Sequence, residues 1–213
     1  MFKADICNRI ERCGAMAIVR VMTQERAYEI AKGCLDGGID VLEISYTLPN
    51  AGEIIRYLKE EFQDRLLVGA GTVLDSETAR LAILAGAEFI IAPNYKQAVA
   101  ECCNRYLIPY APGCTSITEA MTALEMGASF IKAFPISNFY GPDLANVFLT
   151  PIPQMPLLAS GGATLANLQT WLEKGVLCVG FGGLLTKGSS QEIHSNAAAI
   201  RSIIDSYRNP QAN

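Results

Sequence analysis

Lys132 stands inside Ser129-Phe-Ile-Lys-Ala-Phe-Pro135, a run that otherwise reads as a buried β-strand. Lysine is almost never fully buried unless it is paired or has chemistry to do. Low dielectric disfavours an ammonium, and a neutral amine is a nucleophile toward carbonyl carbon, which is how Schiff-base lysines arise. The competing reading is a strand-end lysine that snorkels to water or pairs with a carboxylate. Glu43, in Val41-Leu-Glu-Ile-Ser45, is a second charge in an apolar run. The two side chains are therefore either a structural ion pair or an amine nucleophile served by a carboxylate that moves protons.

Two glycine-rich turns suggest anion binding. Ser160-Gly161-Gly162-Ala-Thr164 and Gly180-Phe-Gly182-Gly183 allow backbone N–H groups to approach a phosphate closely. Gly69-Ala-Gly-Thr-Val-Leu74 is excluded as a dinucleotide fingerprint, because leucine stands where the third glycine belongs. Seven cysteines, an odd number without Cys-x-x-Cys, suit a reducing compartment. His194 is the sole histidine, expected at the surface. It leaves no histidine to activate a thiol and cannot supply the usual catalytic zinc site. Metal-dependent chemistry is not expected, a carboxylate-held magnesium alone staying open, and no cofactor is expected.

These groups need elements to position them. Strand candidates are 15–21, 40–45, 66–70, 88–92, 108–111, 129–134, 156–160 and 176–180. Between them, Ala27/Ile30/Ala31/Cys34/Leu35, Ala51/Ile54/Ile55/Leu58 and Ile117/Ala120/Met121/Leu124 keep the spacing of one apolar helix face. Alternation of strand and helix implies a parallel sheet with crossover helices. Leu35-Asp-Gly37-Gly38, Leu84-Ala-Gly86-Ala87, Leu124-Glu-Met-Gly127-Ala128 and Leu172-Glu-Lys-Gly175-Val176 echo one another before every second strand, each glycine fitting a left-handed helix end. The expected fold is α/β, a single (β/α)8 TIM barrel with a short N-terminal helix over residues 1–14, one domain spanning 1–213. An open doubly wound sheet is the alternative. In a barrel the site lies at the C-terminal ends of the strands, which gathers Arg20, Glu43, Thr72, Pro93-Asn94, Pro112-Gly113, Lys132 and both glycine turns.

A chain of 213 residues with 50% hydrophobic content suffices for one large core. Its net charge of −4 and the absence of a Lys/Arg block argue against a nucleic-acid partner. No apolar run approaches the ~20 residues of a membrane span, and the N-terminus lacks a signal-peptide pattern. The expectation is a cytoplasmic protein acting on a small molecule, without membrane or nucleic acid.

The ordered set Ile18-Val-Arg-Val21, Val41-Leu-Glu-Ile44, Val68-Gly-Ala-Gly-Thr-Val73, Ala92-Pro-Asn94, Pro112-Gly113, Ile131-Lys-Ala-Phe-Pro135, Gly141-Pro142, Gly161-Gly162 and Val179-Gly-Phe-Gly182 resembles the class I aldolases. The matching group cleaves 2-keto-3-deoxy-6-phosphogluconate (KDPG) or 4-hydroxy-2-oxoglutarate (KHG), with a 6-phosphogalactonate-specific branch. The resemblance implies a metal-independent carbon–carbon lyase in which Lys132 forms the pyruvate Schiff base and Glu43 moves protons. Thr72 and an arginine would hold the carboxylate. One branch places that arginine at position 47, here Thr47, and another at Arg20, so Arg20 is assigned. Pro93, Ser160, Gly161, Gly162, Gly182 and Gly183 complete the expected substrate site. Two departures weaken the phosphate site: Ala159-Ser160 replaces Pro-Thr, and Gly183 stands where a serine is common. The resemblance also implies a homotrimer. Competing functions are a phosphate-binding isomerase or synthase without a covalent intermediate, and a non-catalytic barrel that binds a phosphate ligand.

Overall fold

The computed structural model describes residues 2–135 and 137–209; positions 1, 136 and 210–213 of the expected domain lie outside them. Its strands are β1 (Ala15–Val19), β2 (Val41–Ser45), β3 (Leu67–Gly71), β4 (Ile90–Ile91), β5 (Tyr110–Ala111), β6 (Gly113–Cys114), β7 (Ile131–Ala133), β8 (Leu157–Ser160) and β9 (Cys178–Phe181). All pair in parallel, in the order β5-β4-β3-β2-β1-β9-β8-β7-β6. β5 and β6 are separated only by Pro112, so the two ends of that order meet.

The fifth expected strand, 108–111, is reduced to β5, and a second short piece not expected, β6, follows beyond Pro112, because proline has no N–H to give a ladder. The chain still hydrogen bonds on both sides there. The Gly113 N–H donates to the Ala92 carbonyl at 2.9 Å, and the Pro112 carbonyl accepts from the Lys132 N–H at 2.9 Å. This seam closes an α/β barrel of the TIM type, and the open doubly wound alternative is set aside.

The leading helix, Lys3–Cys13, buries Ile6, Ile10 and Cys13 beneath the barrel. Ile10 borders the same small apolar space as Phe89, Phe130 and Leu158. Polar contacts fix the helix to loops that lead into strands. The Arg9 Nε lies 2.7 Å from Asp40, just before β2, and Arg9 donates to the carbonyls of Asp64 and Arg65, just before β3. The N-terminal end of the barrel is therefore covered.

The helices Gln24–Asp36 and Ala51–Phe62 bury the expected residues Ala27, Ile30, Ala31 and Cys34, and Ala51, Ile54, Ile55 and Leu58. The helix Ile117–Glu125 is turned from the expected face. It buries Ala120 and Ala123 and leaves Met121 36% exposed, since small residues let it lie close to the sheet. Gly38, Gly86, Gly127 and Gly175 carry φ of +87, +103, +84 and +87°, as the repeated helix ends require, whereas Gly37 is at −86°. No helix among the described residues is long and apolar enough to cross a membrane.

Candidate active site

Lys132 occupies the middle of β7, in register with Gly113 and Leu158. Side chains alternate along a strand, so Ile131 and Ala133, both fully buried, face the helices while Lys132 faces the barrel. It is 8% exposed, and its Nζ lies 4.7 Å from the centroid of the Phe134 ring, a cation–π distance. Glu43 is 1% exposed, and neither carboxylate oxygen has a hydrogen-bond partner among the described residues. The ion pairs among those residues include neither Lys132 nor Glu43. The structural ion pair therefore fails as an account of these charges. Leaving a buried carboxylate unpaired costs more than the ~1–3 kcal/mol of a neutral orphan, which suits a group whose partner arrives with a ligand.

The Glu43 carboxyl has a shaped seat. A Cβ built on Gly71 would fall 1.7 Å from Glu43 Oε1 and 2.2 Å from its Cδ. Gly71 belongs to a regular strand, so the close approach of the carboxyl, rather than backbone conformation, demands glycine here.

Above this floor opens a cleft of about 430 Å³. It brings together Arg20, Thr72, Pro93, Lys132, Ser160, Gly161, Gly162, Gly182 and Gly183, with Thr47 and Phe134 also in its wall. Of the residues gathered at the strand ends, Asn94, Pro112, Gly113 and Glu43 are not part of that wall, and Glu43 is buried. Arg20 follows β1 at the exposed mouth and takes no part in an ion pair among the described residues.

The glycine turns form the rim. Gly161 and Gly162 have φ of +99 and +71°, and a Cβ on Gly161 would meet the Asn138 side chain at 2.4 Å. The Ser137 hydroxyl donates to the Ser160 carbonyl, and Asn167 Nδ2 donates to the Gly162 carbonyl at 2.9 Å. These bonds fix carbonyls. Among the described residues, no N–H of Gly161, Gly162, Gly182 or Gly183 donates to a backbone carbonyl outside the regular elements.

Two polar residues escaped the sequence reading. Ser45 is fully buried, and its hydroxyl is 3.1 Å from both Thr47 Oγ1 and Thr72 Oγ1. Its signal was the two-residue spacing from Glu43, which puts both on one strand face. Ser137, also fully buried, gave only its polarity as a sign. Burial pushes the thiols of Cys13, Cys34, Cys103 and Cys114 up to about 12, which disfavours the nucleophilic thiolate at these four positions. His194 lies half-buried on the helix Ser190–Arg208, away from the cleft wall.

Residues 6–202 match the family described as KDPG and KHG aldolase. The chain is 32% identical over 194 residues to the 2-dehydro-3-deoxy-6-phosphogalactonate aldolase of Escherichia coli K12, covering 91% of this chain and 94% of the relative. It is similar to the native KDPGal structure at a TM-score of 0.86 and 30% identity, covering 92% and 96% of the two chains. It is also similar to the KDPG aldolase of Legionella pneumophila, solved with pyruvate captured at low pH as a covalent carbinolamine intermediate, at a TM-score of 0.83 and 26% identity, covering 92% and 97%.

Proposed function

The chain belongs to the KDPG and KHG aldolase family, and on that premise we propose how its own residues perform the reaction. It is a class I aldolase, a carbon–carbon lyase. It reversibly cleaves a 2-keto-3-deoxy sugar acid of the KDPG type to pyruvate and an aldehyde, which for KDPG is glyceraldehyde 3-phosphate. We assign Lys132 as the amine that attacks the 2-keto carbon. Loss of water gives a protonated imine, which accepts the electron pair of the C3–C4 bond as that bond breaks. Glu43, directly or through water, takes the proton of the C4 hydroxyl, and the aldehyde leaves. The resulting enamine is protonated at C3, and hydrolysis of the imine frees pyruvate and restores the amine. Proton transfer by a positioned carboxylate is worth ~10²–10⁴ in rate.

The observation that carries this assignment is an amine 8% exposed, in no ion pair among the described residues, that nonetheless opens on the cleft. Arg20 grips the pyruvyl carboxylate bidentately and Thr72 donates to it, which orients the carbonyl toward Lys132. The amides of the rim take the 6-phosphate, so the phosphorylated acid is the preferred substrate. The protein works as one domain over 1–213, as a cytoplasmic homotrimer. Borohydride with pyruvate tests the central assignment: the adduct maps to Lys132 and disappears in Lys132→Ala. An adduct on another lysine removes it.

A further inference from the structure

We infer that Ser45 is a positioning residue for substrate binding, the middle of a three-hydroxyl chain that aims the Thr72 proton into the cleft. The inference rests on the proposed contact between Thr72 and the pyruvyl carboxylate. Ser45 itself is fully buried and is not part of the cleft wall. Its two partners, Thr47 and Thr72, both stand in the cleft wall. The three hydroxyls lie in series, Thr47 to Ser45 to Thr72, at 3.1 Å per step.

Proton counting gives the chain a direction. A carboxylate only accepts hydrogen bonds, so Thr72 must spend its single proton on the ligand. Its oxygen then serves as acceptor for the Ser45 proton, and the Ser45 oxygen accepts from Thr47. Each bond polarises the next, so the terminal donor is strengthened in a low-dielectric site.

Backbone geometry supports the same role. Thr72 has φ of +57°, an outlier for a β-branched residue. Such conformations persist where surrounding contacts over-determine them, and they cluster at ligand clamps. Here the neighbours on both sides are tied: the Tyr46 N–H donates to the Gly71 carbonyl at 2.8 Å, and the Val73 N–H to the Ile91 carbonyl at 3.2 Å. Ser45, paired with Gly71 in register, is the side chain bonded to the Thr72 hydroxyl.

The test measures pyruvate-dependent borohydride trapping of Lys132, together with steady-state cleavage, in Ser45→Ala, Ser45→Cys, Thr72→Val and the double variant Ser45→Ala/Thr72→Val. Ser45→Ala should raise the half-saturating pyruvate concentration about tenfold, the loss expected for one hydrogen bond, while kcat at saturation changes less than about twofold. Ser45→Cys keeps the shape with a poor hydrogen-bonding group and should follow Ser45→Ala. In the Thr72→Val background, Ser45→Ala should add no further loss, because Ser45 acts only through the Thr72 hydroxyl. Unchanged affinity in Ser45→Ala, full affinity in Ser45→Cys, or additive losses in the double variant would each overturn the inference. Absence of a Lys132 adduct in the unaltered protein would instead overturn the functional reading beneath it.

Discussion

Gly71→Ala is the sharpest test of where the carboxylate proposed to move protons sits. The added methyl carbon falls 1.7, 2.2 and 2.4 Å from Oε1, Cδ and Cγ of Glu43, against ordinary non-bonded contacts of ~3.5–4.0 Å. Three atoms of one side chain would overlap the methyl by over ~1 Å each, too much for a small rotation to relieve. Gly71 is not among the residues with left-handed φ, so alanine meets no backbone penalty, and the whole effect arises from the contact. Either the carboxyl leaves its seat, or strands β2 and β3 part. We expect a stability loss of ~1–3 kcal/mol, the range for overpacking, and a fall in kcat of at least ~10²-fold, the lower range for losing a proton shuttle. Glu43→Gln, which keeps the shape, should lose similar activity with less stability change. Urea denaturation and aldehyde release measure the two quantities. In a Glu43→Ala background, where the space is vacated, Gly71→Ala should cost much less stability than alone. If Gly71→Ala turns over at the normal rate while Glu43→Gln is inactive, the seat described for Glu43 is not the one used in catalysis.

Arg20→Lys should raise the pyruvate concentration needed for half-maximal trapping, because an ammonium cannot reproduce a bidentate fork; unchanged affinity means that the carboxylate is held elsewhere. Gly183→Ser has room, since the nearest atoms to a Cβ there belong to the Lys187 side chain, at 3.4 Å and beyond. It should tighten inhibition by inorganic phosphate and widen the preference for the phosphorylated acid over KHG; no change in either would place the phosphate away from this turn. Glu119 accepts from the backbone N–H and hydroxyl of Thr115 at 2.7 and 2.8 Å and from the Ser116 N–H at 3.0 Å, which hold its carboxyl below the usual value. A depressed folded value means that this stabilisation is present above about pH 4.5, the ordinary glutamate range, and is lost as pH falls through the folded value. Glu119→Ala should therefore cost ~0.3–1 kcal/mol at neutral pH, with the gap to the parent closing in acid; a pH-independent gap would assign the loss to something other than the charge.

Much of the site was legible because charges in apolar runs are conspicuous: Lys132 and Glu43 each interrupt a strand whose neighbours are wholly buried. Strand-end position then gathered Arg20, Thr72, Pro93 and the glycine turns, and the cleft does unite them. What stayed hidden depends on register and rotation. Pro112 divides a strand without breaking the barrel, because its carbonyl still accepts from Lys132, and a sequence does not say which side of a proline remains paired. Met121 and Ala123 both fit a helical period, and close packing against the sheet selects the smaller. Ser45 is an ordinary polar residue until Thr47 and Thr72 come within hydrogen-bond reach from two different loops. Neither the strand nor either loop alone contains that contact.

The helix beneath the barrel settles a matter of traffic. With Ile10 set against Phe89, Phe130 and Leu158, the described residues close the far end, so in the proposed reaction reactant and both products share the doorway above the cleft. In the proposed pose the pyruvyl half lies deeper, tethered to Lys132, and the phosphorylated half lies nearer the rim. Departure is then sequential by construction: the aldehyde clears the doorway first, and pyruvate follows once its tether is cut. Run in reverse, the same geometry admits pyruvate before the aldehyde, and an aldehyde that arrives early stands in the way.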